Sequence, residues 1–420
     1  MTDFATAFLE HEARALLTRL ARLKPFALSE TMVPAANVAP AAQMGIDLYL
    51  AQGRAKLREQ ALEFLQWLGH SRAAPDEAQR RFSLLRLRFN AVLTQFDLFA
   101  DALSQRGERD LGVWMAGLDA LARDALVFPG FYEAPPLVCY LDRGVGAAIR
   151  RARTRLPGGG NNPAAIIRVP RERMVGGGIA SSLVHEVGHQ AAALLGLVSS
   201  LQPVLRGQRG DAGIWSCWQR WISEIVADLW SVARLGVSAT LGLIGVVSLP
   251  RAFVYRISMD DPHPPPWLRV SVSCALGAAL YPGPPWSRVL RLWQSLYPLE
   301  LAPDRARAVL ARLEEHLDEF VATLLQHRPV ALRGNTLAQA LATPALRPSA
   351  LNDRFGSWQE RPLEMYSVAP CLACAVLGQA RADERIDPET ESRWMARLLT
   401  RWALDNLLAA HPRSALPHSL

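Results

Sequence analysis

Lysine is nearly missing from this sequence. Lys24 and Lys56 are the only two, and arginine supplies the rest of the 46 basic residues. No dense basic run occurs, and no aromatic residues are interleaved with the arginines, which stand among 39 acidic residues. The formal net charge of +7 is thus spread thinly, which argues against a nucleic-acid-binding stripe and for a solvated, mildly basic surface. Cysteine is also scarce: Cys139, Cys217, Cys274, Cys371 and Cys374 make an odd set of 5. No disulfide framework is expected from it, and a reducing cytoplasm suits it. Cys371 and Cys374 form one CxxC, but a structural zinc site needs four ligands and no second pair exists. They read as small core residues of a helix.

Long hydrophobic runs are lacking too. The longest, Leu235 to Leu249, is diluted by Ser, Thr and Gly and stops at Pro250. A bilayer span needs about 20 predominantly apolar residues, so a buried core helix is expected, with membrane association the less favoured reading. The N-terminal MTDFATAFLEHEARALL has no basic region followed by an apolar core and a cleavage site, so no secretory signal is expected. The expected location is cytoplasmic.

What is present is globular composition, 50% hydrophobic and 20% charged. A chain of 420 residues has enough core for two or three packed units. Apolar residues recur at three- and four-residue steps through most of residues 1–130, which predicts helices, with a Pro- and Ala-rich connector at 31–45. The character changes near Pro129. PPLVCYLD (135–142) and AAIIRVP (164–170) read as strands, GAAIRRART (146–154) as a helix, and PGGGNN (157–162) as a turn. Gly176 to Gly178 lead into a helix, IASSLVHEVGHQAAALLGLV, and residues 214–234 form another. After DPHPPP (261–266) the pattern is helical again, ending in a frayed tail at 411–420.

The chemistry concentrates in three segments. His185-Glu186-Val187-Gly188-His189 places two imidazoles four apart, on one helix face, where both can reach a single metal ion. Chance gives HExxH in roughly one such chain in a hundred. The flanks are apolar and small, and two histidines and a glutamate buried there need a partner that a metal supplies. Glu186, one position on, is offset towards a metal-activated water, whose proton a carboxylate can take. Zinc commonly takes three protein ligands and keeps one open position, yet no third histidine follows closely. Glu224 in SEIVADLW is the best third ligand. Asp228, four residues later, can accept the second N–H of a ligand histidine and fix its ring. The third segment, DPHPPPWLR (261–269), carries His263 and Arg269 around a rigid proline turn, as candidate donors to a developing oxyanion or to substrate.

Taken in order, HEVGH, EIVAD (224–228) and HPPPWLR (263–269) resemble the gluzincin zinc endopeptidases that include heat-shock protease X and the CAAX prenyl proteases. NNPAAIIRVP (161–170) looks like the turn and edge strand before that family's first zinc helix. The resemblance covers roughly 135–270, about a third of the chain. It implies that Ile166, Ile167, Arg168 and Val169 form an edge strand to which an extended peptide adds. It also implies substrate or oxyanion roles for His263 and Arg269.

The expected fold is therefore α+β and predominantly helical. A zincin-like core at 131–275 is flanked by helical regions at 1–130 and 276–420. The expected activity is zinc-dependent peptide-bond hydrolysis, with one Zn2+ on His185, His189 and Glu224, Glu186 as general base, and a peptide or protein substrate. The alternative is a non-catalytic helical scaffold or interaction protein held together by zinc.

Overall fold

The computed structural model describes residues 4–22, 33–71, 73–143, 146–156, 160–171, 178–258 and 260–410. The tail at 411–420, part of the connector at 31–45, most of the glycine run at 176–178 and residues 157–159 of the expected turn lie outside the described residues. The fold is predominantly helical with one small sheet. Three helices, α1 (Phe4–Arg22), α2 (Pro40–His70) and α3 (Pro75–Ser104), precede α4 (Arg109–Leu126). Three strands follow: β1 (Leu137–Asp142), β2 (Ala148–Arg150) and β3 (Ala165–Pro170). Next come α5 (Gly178–Leu194), α6 (Leu197–Arg206), α7 (Ala212–Leu235), α8 (Val237–Val247), α9 (Arg251–Val254) and α10 (Pro266–Leu280). The chain closes with α11 (Pro284–Leu296), α12 (Asp304–Glu315), α13 (Leu317–Gln326), α14 (Leu337–Leu341), α15 (Pro348–Glu360), α16 (Pro370–Ala382) and α17 (Pro388–Ala410).

The chain divides into two compact units rather than the three expected segments. One comprises Met1–Val113, Pro135–Tyr140 and Arg150–Ile166; the other comprises Trp114–Ala134, Leu141–Ile149 and Ile167–Leu420. No boundary falls near 275, because α10 packs on α7 and α8 before it and on α11, α12 and α13 after it. In the first unit, Leu9, Ala13, Leu16 and Leu20 make a buried stripe on α1. They share a core with Ile46, Leu57 and Phe64 of α2 and Phe82, Phe89 and Phe96 of α3.

The sheet order is β1-β3-β2, which corrects two expectations. Residues 148–150 are a strand, not part of a helix. The side-chain amide of buried Asn162 donates to the carbonyls of Arg150 (3.2 Å) and Arg151 (2.9 Å), acceptors that a helix would have used internally. And the segment Ile166, Ile167, Arg168 and Val169 is not an edge strand: β3 is the middle strand, bonded on both sides. Its run of buried Ala165, Ile166, Ile167 and Val169 suits a strand covered on both faces.

In the second unit, α5, α7, α8 and α10 pack around one another. The start of α7 is capped by Asp211, whose Oδ1 accepts from the N–H of Gly213 (2.9 Å) and Ile214 (3.3 Å). Its end is set by Gly236, whose φ of +56° lies where residues with a Cβ are strained. That glycine splits the apolar run, and Val237, Ala239, Leu243 and Val247 of α8 are buried, as a core helix requires. Among the described residues, no helix is long and apolar enough to cross a membrane. Cys371 and Cys374 are buried, unbridged residues of α16.

Candidate metal centre

Three helices bring the site residues together. α5 carries His185, Glu186 and His189, α7 carries Glu224 and Asp228, and α10 carries Arg269, while His263 lies on the loop before α10. The close approach of α5 and α7 depends on two small residues. A Cβ on Gly188 would lie 2.8 Å from the carbonyl oxygen of Ala227 and 3.0 Å from Cβ of Trp230. Only glycine fits there without displacing backbone.

Among the described residues, His185, His189 and Glu224 form the one group whose potential ligand atoms all lie within 4.8 Å of one another. The His185 and His189 rings stand nearly perpendicular, at 85° with centroids 4.9 Å apart. Nε2 of His185 lies 3.3 Å from Oε2 of Glu224, and Nε2 of His189 lies 3.5 Å from Oε1. Nδ1 of His185 is 2.8 Å from Oδ1 of Asp228. Asp228 thereby fixes the ring and leaves Nε2 turned towards Glu224, the arrangement a metal-ligating histidine needs.

Arg269 takes a different place from the one expected of an oxyanion donor. Its Nε donates to Oδ2 of Asp228 at 2.7 Å and Nη2 to Oδ1 at 2.9 Å. This bidentate grip holds Asp228, which in turn holds His185. Nη2 also comes within 3.9 Å of Glu224 Oε2. His263 stays half-exposed. Its Nδ1 is held by Asp261 at 2.7 Å, and its Nε2 points to Glu224 Oε2 at 3.3 Å.

The electrostatics follow from these contacts. Burial favours the neutral form of Asp228, but the charges of Arg269 and His185 overcome it and hold the carboxyl at about 2. Burial likewise opposes charge on His185, yet Asp228 and then Glu224 push its pKa up to about 9. Glu224 is held far below the usual carboxylate range, against burial, by the imidazoles of His185, His189 and His263 that stand around it. Burial works against the Arg269 charge and is outweighed by Asp228 first, then by Glu224 and Glu186.

The donor set fits a divalent cation. Three carboxyl groups (Glu186, Glu224 and Asp228) face a single guanidinium, so surroundings that attract a proton to His185 would equally attract a metal ion. Oε2 of Glu224 is buried with no hydrogen-bond donor aligned on it, which an ion would relieve.

A cavity of about 130 Å³ opens beside the cluster, lined by His185, Glu186, Asp228, His263 and Arg269. Its remaining wall includes Gly146, Ala147, Ser181, Ser231, Leu243 and Ser273, which no chemical motif in the sequence marks as site residues. A signal existed. Ser181 precedes His185 by four, Ser231 follows Asp228 by three, and Ser273 follows Arg269 by four, so each shares a helix face with a site residue. The chain matches no family model, no curated protein and no solved structure. The site's own chemistry therefore carries the assignment of function.

Proposed function

We propose that this chain is a zinc-dependent metallopeptidase. The observation that carries the reading is the convergence of His185, His189 and Glu224 within 4.8 Å, beside a cavity that Glu186 also lines. His185, His189 and Glu224 would hold the metal. When bound, zinc would supply Lewis-acid polarisation and make water nucleophilic near neutral pH.

The chain's own residues do the rest. Asp228, gripped by Arg269, keeps the His185 ring in one orientation. Glu186 takes a proton from the attacking water and returns it to the departing amine nitrogen. His263 stands at the mouth of the cavity, and its Nε2–H can hydrogen-bond the carbonyl oxygen as negative charge builds there. With β3 in the middle of the sheet, β2 is an outer strand, and its half-buried residues directly follow cavity-lining Gly146 and Ala147. An extended peptide pairing there would bring its backbone past Glu186.

Replacing Glu186 by Gln tests the mechanism. The variant should keep its metal yet lose peptide hydrolysis by about 100-fold or more, the usual scale of general-base catalysis. Unchanged turnover would remove Glu186 from the reaction.

A further inference from the structure

Helix α2 is apolar on two opposite sides, and its own chain covers only one of them. Inward, Ile46, Leu57, Ala61, Phe64 and Leu68 are buried in the core of the first unit. Outward, Met44, Leu48, Ala51, Ala55 and Leu62 succeed one another at steps of 4, 3, 4 and 7 residues, and all five are exposed. Met44 is 70% exposed, Leu48 58% and Leu62 41%. Single apolar residues on a surface need no explanation. A seam along a 31-residue helix does, because alternating steps of three and four keep apolar residues on one line, the pattern by which helix pairs with helix. The seam runs about 27 Å along the helix axis.

Reversed, the seam matches itself. About a midpoint at residue 53, Met44 falls opposite Leu62 of a second copy, and Ala51 falls opposite Ala55. Large residues then meet at both ends, and small ones at the centre let the two helices approach closely. Leu48 falls opposite Arg58, whose aliphatic stem can cover it. The charges agree with this direction. Asp47 and Arg58 edge the same side of the seam on the helical wheel, and reversal brings each beside the other, giving two ion pairs. Both are exposed, and among the described residues neither has a partner within its own chain. A parallel pairing would instead set Asp47 against Asp47 and Arg58 against Arg58.

We infer that α2 pairs antiparallel with α2 of a second copy of this chain, about a twofold axis through residue 53. Both halves of the apolar and charge pattern lie in α2 itself, as an isologous contact requires. A seam of this length stands at the small end of specific interfaces, so the dimer exchanges with monomer.

Sedimentation velocity of the full chain, diluted from about 0.1 mM to about 1 μM, tests this over the range where weak pairs dissociate. Wild type should pass from dimer to monomer on dilution. Ala55→Arg puts charge and bulk at the centre and should weaken the dimer by about 100-fold or more. Asp47→Arg and Arg58→Asp each bring like charges together twice per dimer, and each should weaken it by about 10-fold. The double variant Asp47→Arg/Arg58→Asp restores opposite charges across the antiparallel interface and should dimerise as wild type does. All three substitutions fall on exposed helix positions, so circular dichroism should match wild type throughout. A wild type that stays monomeric at every concentration would overturn the inference, including the case in which the seam receives a different protein. So would a dimer that tolerates Ala55→Arg, or a double variant no tighter than the single ones.

Discussion

Gly188 rests against Ala227 so closely that a methyl group on it would come within 2.9 Å of the Ala227 Cα. Each lies one residue before a member of the cluster, His189 and Asp228 respectively. The missing side chain therefore sets the distance between the helix that offers two imidazoles and the helix that offers the carboxylates. Gly188→Ala should destabilise the protein by about 1–3 kcal/mol through overpacking and weaken metal uptake at the same time. Equilibrium denaturation with metal analysis checks both. A variant as stable as wild type that binds metal equally well would show that the helices need not approach so closely.

Asp228 and Arg269 form a buried pair, with side chains 7% and 11% exposed. Removing one partner of such a pair strands the other's charge and costs about 3–5 kcal/mol. Arg269→Met should lose that much in urea denaturation. Arg269→Lys should recover only part of it, because one ammonium cannot reproduce a two-nitrogen grip on both carboxylate oxygens. A loss below about 1 kcal/mol for Arg269→Met, the scale of an exposed pair, would mean that Arg269 does not anchor Asp228.

Asp383 gives a pH dependence well away from the cluster. Burial favours its neutral form, but hydrogen bonds from Gln379 and Asn352 and the ion pair with Arg288 lower its pKa below the ordinary value. A carboxyl whose pKa is lower in the folded than in the unfolded protein contributes stability above its unfolded pKa of about 3.9. That contribution fades as pH falls through the folded value. Asp383→Asn should therefore be destabilising at pH 7, with the difference shrinking steadily below pH 4. A difference constant from pH 7 to pH 3 would contradict the assignment.

The cysteines should be slow to react in the folded protein. Cys139, Cys274, Cys371 and Cys374 are buried, and Cys217 is partly so. Burial raises the Cys371 thiol far above its ordinary range and pushes Cys274 to about 12. Native protein titrated with an aromatic disulfide reagent should release at most about one thiol equivalent, and denatured protein all 5. Rapid release of two or more native equivalents would show that the CxxC on α16 is accessible.

The cluster was legible because its residues follow short-range helical spacings. His185 and His189 are four apart, as are Glu224 and Asp228, and helix geometry alone puts each pair on one face. The buried helix after Gly236 was legible from a run too short to span a bilayer. The sheet was not. Ala148–Arg150 is too short to carry a period, and what holds it extended is its pairing with β3, which begins only at Ala165. The order β1-β3-β2 arises from pairing between distant segments, which local pattern does not encode. The place of Arg269 escaped for the same reason: its role is decided by Asp228, on another helix. The serines of the cavity wall shared faces with site residues, but serine on a helix is too common to stand out without the neighbouring helix in view.

The central claim is that His185, His189 and Glu224 hold one metal ion, and metal content tests it most directly. Wild type and Glu224→Ala, purified without added metal, would be compared by elemental mass spectrometry. The prediction is about one zinc per chain in wild type, lost or much weakened in the variant. A well-folded wild type that neither carries zinc nor takes it up would contradict the claim and leave the cluster a buried polar network.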